Sequence, residues 1–94
     1  MPTFKIAHIN QDNVDLIIVP LEASFGSKSS SDQRDAIIEL QTRAQAAGLR
    51  GGVVPVWDAG LNRMAYIAPD NWKPFFNSIN LQWVSMNINR DLSW

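Results

Sequence analysis

His8 is the only histidine in the chain. Imidazole is the one side chain whose unperturbed proton exchange falls near neutral pH, and a facing carboxylate would make it a general base with an orienting partner. Asp15 is the carboxylate in reach, because the runs 3–9 (TFKIAHI) and 14–21 (VDLIIVPL) flank the turn-forming residues Asn10-Gln11-Asp12-Asn13 and so form a hairpin. A four-residue loop sets His8 opposite Asp15, and a three-residue loop sets it opposite Leu16. Nothing else needed for acid–base work lies nearby in sequence. A histidine closing the polar end of a strand is the plainer reading.

Two further groups could hold a ligand. Asp58 and Arg63 sit opposite each other if Ala59-Gly60-Leu61-Asn62 is the loop of a second hairpin; Arg63 could then take a carboxylate or phosphate while Asp58 steadies its guanidinium. A salt bridge at a hairpin mouth explains the same pattern. Lys28 and Ser29 lie in the loop 25–30 (FGSKSS) ahead of a helix, where free N–H groups attract anions. The loop is not a P-loop: that motif needs glycine directly before its lysine, and here Ser27 precedes Lys28.

The tryptophans are the most unusual feature, four in 94 residues. Trp72 falls on a core-facing stripe. Trp57 lies on a strand that contains Pro55, Trp83 shares an alternating face with Ser85 and Asn87, and Trp94 is the last residue in the sequence. Large aromatics left outside a small core mark contact surfaces, so Trp57, Trp83 and Trp94 are the expected interface residues; packing within a small fold that needs large side chains explains them equally well.

Composition narrows the chemistry that these residues can serve. With no cysteine there is no thiolate nucleophile, no disulfide and no cysteine-based zinc site, and the spacing of the remaining acids suggests no metal. The formal charge is −1 and neither half is basic, which argues against nucleic acid. No run approaches the roughly 20 apolar residues of a membrane span, so the expectation is a cytoplasmic protein that does not enter membranes.

The elements that must position these side chains are strands over 3–9, 14–21, 53–57, 64–68 and 81–88, and two helices. The first helix has Ser30 as its N-cap, with Gln33 completing a capping box, and carries Ile37, Leu40, Ala44 and Ala47 on one stripe. Gly48 ends it as the left-handed residue that folds Leu49 back onto Ala44. The second helix starts at Asn71 and buries Trp72, Phe75, Phe76 and Ile79. The order ββαββαβ predicts an α+β fold of one domain, 1–94, with pseudo-repeated halves 3–50 and 51–94 related by a twofold. Both helices would pack on one face of a mainly antiparallel sheet.

The expected function is that of a small protein-binding or regulatory module, without a cofactor, whose partner is a protein and which forms a homo-oligomer, in the simplest case a dimer. The alternative is a small-molecule-binding protein or enzyme with a pocket near His8, Asp15 and Arg63.

Overall fold

The computed structural model describes residues 3–60 and 63–93. Its strands are β1 (Thr3–Gln11), β2 (Val14–Leu21), β3 (Gly52–Asp58), β4 (Met64–Tyr66) and β5 (Arg90–Ser93); its helices are α1 (Ser30–Ala46), α2 (Lys73–Asn77) and α3 (Leu81–Met86). Short 3₁₀ segments, Ala23–Ser27 and Asp70–Trp72, precede α1 and α2. The five strands form one mixed sheet in the order β4-β3-β2-β1-β5, antiparallel except for the central β2–β3 pair. The fold is a small mixed α+β domain, and among its described residues no helix is long and apolar enough to cross a membrane.

The parallel pair follows from α1. A chain that leaves β2 through a 17-residue helix has the length to return to the starting end of the sheet, which a tight turn cannot do. Ser29 caps α1, its hydroxyl accepting from the N–H of Asp32 at 3.1 Å. The helix therefore starts one residue earlier than the Ser30 capping box predicts, and Gln33 instead donates to the Phe25 carbonyl. The other end is as expected: Gly48 has φ +80, and the N–H of Leu49 reaches the Ala44 carbonyl at 2.9 Å.

The stretch 81–88 is the main departure from the expected elements. It forms α3, and the fifth strand lies further on at 90–93. Leu81, Val84 and Ile88 fit a helical stripe as well as the even positions fit a strand, and a run this short does not discriminate. Asn80 settles it locally by accepting from the N–H of Trp83 at 2.8 Å as N-cap. α2 also differs: it begins after the 3₁₀ turn, with Trp72 at the N-cap, so Pro74 rather than a stripe from Asn71 sets its first turn.

Both faces of the sheet are covered, not one. Leu40 and Ala44 of α1 pack on Ile6, Ile17, Val19, Val53 and Leu92. Phe76 of α2 and Val84 of α3 pack on Ala7, Leu16, Ile18, Val54 and Val56, the alternate residues of the same strands. Strands buried on both faces carry continuous apolar runs, as 16–19 and 53–57 do. The two hairpins lie side by side in one sheet, with β2 parallel to β3.

Candidate functional site

His8 and Asp15 are not partners. The hairpin closes with a two-residue turn, Asp12 and Asn13, both at positive φ (53° and 65°), which sets His8 opposite Ile17 and Asp15 opposite Asn10. Neither sequence register is the one formed, because two residues that tolerate the left-handed region suffice for the type I′ geometry that matches strand twist. Asp15 accepts from the Asn10 amide at 3.0 Å. The His8 ring meets the Arg50 carbonyl at 2.8 Å through Nε2. A carbonyl only accepts, so Nε2 carries the proton and is committed to holding the 50–51 connection. The His8 backbone is bound twice by the Asn89 carboxamide, at 2.9 and 2.8 Å, which stands in for a peptide unit and prolongs the β1–β5 ladder.

Asp58 and Arg63 are also apart. Asp58 pairs with Met64, one residue from the expected register, and its carboxylate accepts from the Gly60 N–H at 2.8 Å. Arg63 is exposed, its backbone closing the loop through Ala59 and Gly60. Among the described residues no ion pair joins the two. Leu61 and Asn62 of that expected loop lie outside the described residues, as does Trp94.

Trp57 is buried, 9 % exposed, within its own subunit. Pro55 does not put its strand at an edge, for a reason visible in the ladder. The Pro55 carbonyl accepts from Ile67, so its nitrogen faces the β4 side, where the missing donor ends β4 at Tyr66. β3 therefore keeps β2 on one side and β4 on the other. The Trp57 ring is covered by the 3₁₀ segment: Phe25 meets it edge-on at 5.1 Å, and a Cβ on Gly26 would stand 2.5 Å from its Nε1.

Trp83 has the opposite fate. It is half-buried on α3 and packs edge-on against Phe75 at 5.9 Å, which in turn meets Trp72 at 5.9 Å. Met86, one turn on, is 78 % exposed. Trp72, Phe75 and Trp83 thus form one partly uncovered aromatic cluster over the second core cluster, with the exposed Met86 one helical turn beyond Trp83. Its surroundings are nearly free of charge: residues 71–89 include a single charged side chain, Lys73. The Asp70 carboxylate, 3.0 Å away, pairs with Lys73 and raises its pKa by hydrogen bond and charge, so the ammonium stays protonated beside a compensating negative charge. The same stretch carries amides instead, at Asn71, Asn77, Asn80, Gln82 and Asn87. The shortage of charge was legible in the sequence; the packing of Trp83 on Phe75 was not, because it depends on 81–86 being helical.

The opposite face of the sheet holds a cleft of about 570 Å³ at the carboxyl end of β2. Phe4, Leu21, Phe25 and Leu40 line it, and Glu22 and Lys28 stand at its rim. Lys28 lines this cleft, whereas the Ser29 hydroxyl is engaged in capping α1. A smaller hollow of about 240 Å³ lies at Asp58, Asn80, Leu81 and Gln82. Neither is lined by His8, Asp15 or Arg63. No group of three or more metal-ligating side chains occurs among the described residues. No protein-family model, curated protein or solved structure matches the chain.

Proposed function

We propose that this protein is a small protein-binding module that acts as a homodimer, pairing through the α2–α3 surface. One observation carries the reading: the partly exposed aromatic cluster Trp72, Phe75 and Trp83, with the exposed Met86 one turn beyond, lies in a stretch that bears one charged side chain, itself paired. Aromatic and methionine enrichment with depletion of charge is the composition of an interface core, and amides suit its solvated edge. A second copy is the simplest occupant. A surface without net charge meets its own image without repulsion, which the α1 surface, with Asp32, Arg34, Asp35, Glu39 and Arg43, is less suited to do. The cysteine-free composition suits the cytoplasm.

The catalytic alternative has weaker support, since His8 Nε2 is bound to Arg50 and no described cleft joins it to Asp15 or Arg63. Sedimentation velocity across the micromolar range tests the proposal. The wild-type chain is expected to sediment as a dimer, and Met86→Glu, which sets like charges across the twofold, to weaken dimerisation at least about tenfold (about 1.4 kcal/mol). Ile38→Glu, on the exposed side of α1 at 56 %, should leave it unchanged. A wild-type monomer throughout that range refutes the reading.

A further inference from the structure

We propose that the cleft between α1 and the β1–β2 end of the sheet binds a short peptide with free termini and an apolar side chain. The cleft lies outside the carboxyl end of β2 and is bounded by the start of β1, the 3₁₀ segment and α1. Its volume of about 570 Å³ and its apolar floor of Phe4, Leu21, Phe25 and Leu40 suit a compact organic ligand rather than a bare ion.

The rim defines the ends of that ligand. Glu22 and Lys28 flank the 3₁₀ segment Ala23–Ser27, one before it and one after, and among the described residues neither has an ion-pair partner. Six residue steps at a 3₁₀ rise of about 2 Å set their backbones roughly 12 Å apart. An extended peptide spans about 3.3–3.6 Å per residue, so three or four residues carry an ammonium to Glu22 and a carboxylate to Lys28. Glu39, also on the rim, adds a second acid and is 4.0 Å from Arg43. The segment is held in place for this task. Phe25 packs on Trp57, and Gln33 of α1 donates to the Phe25 carbonyl at 3.0 Å.

The test is an NMR titration of the full ¹⁵N-labelled chain with the tripeptide Ala-Leu-Ala at up to about 10 mM, a range that detects millimolar affinity. Amide shifts are expected at Phe4, Glu22, Phe25 and Lys28 and not around Trp83 or Met86. N-acetylation or C-amidation of the peptide should each weaken binding about two- to fivefold, as should Glu22→Gln and Lys28→Gln, the range (about 0.4–1 kcal/mol) of an exposed ion pair. Glu22 and Lys28 are exposed, and the capped peptides probe the same contacts without altering the protein. Absence of shifts at 10 mM, shifts confined to the 71–89 surface, or equal binding of the doubly capped peptide would each overturn the proposal.

Discussion

Trp57→Ala separates a core ring from a contact ring. Trp57 is 9 % exposed, lies on an internal strand and meets Phe25 edge-on at 5.1 Å. Truncating a buried tryptophan costs about 3–5 kcal/mol, from lost transfer energy and from the cavity left behind. A domain of 94 residues has roughly 5–14 kcal/mol of stability in total, so the variant loses a substantial share of it. In urea, with a slope of about 1–3 kcal/mol/M, the midpoint should fall by at least about 1 M. The melting temperature should fall by about 12 °C or more. Phe25→Ala and the double variant complete a cycle in which the edge-on pair should couple by about 0.5–1.5 kcal/mol. Trp83→Ala, whose ring is half-exposed, should cost only about 1–2 kcal/mol. A loss below about 1 kcal/mol for Trp57→Ala would refute the assignment of this ring to the core.

Two further contrasts test local claims. Gly51 has φ +119, and a Cβ there would collide with the Asp15 backbone, 2.6 Å from its carbonyl carbon, so Gly51→Ala should cost about 3 kcal/mol. Gly48, at φ +80 with open space around it, should cost only about 1 kcal/mol as alanine, and equal losses at the two sites in chemical denaturation would contradict this. Ser29→Ala removes the cap of α1 and should cost about 1 kcal/mol, whereas Ser30→Ala should stay within about 0.5 kcal/mol; the reverse order in thermal melts would move the cap back to Ser30.

The chain's own order of residues determined what short-range physics controls. The β-branched runs at 14–21 and 53–57 read as strands, Ile37 to Ala47 as a helix, and Gly48 as its left-handed end, because each signal is carried by neighbours within one turn. Tertiary structure decided the rest. Register rests on which residues of a turn leave the ladder, and Asp12 with Asn13 could be counted inside a longer loop until both strands were packed. Residues 81–86 fit two periods, and the sheet face of Val54 and Val56, with Phe76 of α2 beside it, selected the helix that brings Val84 onto it. That choice in turn put Trp83 on an uncovered surface, while the 3₁₀ segment closed over Trp57. The share of each indole left to solvent follows from which element crosses which face of the sheet, and residue spacing along the chain does not carry that information.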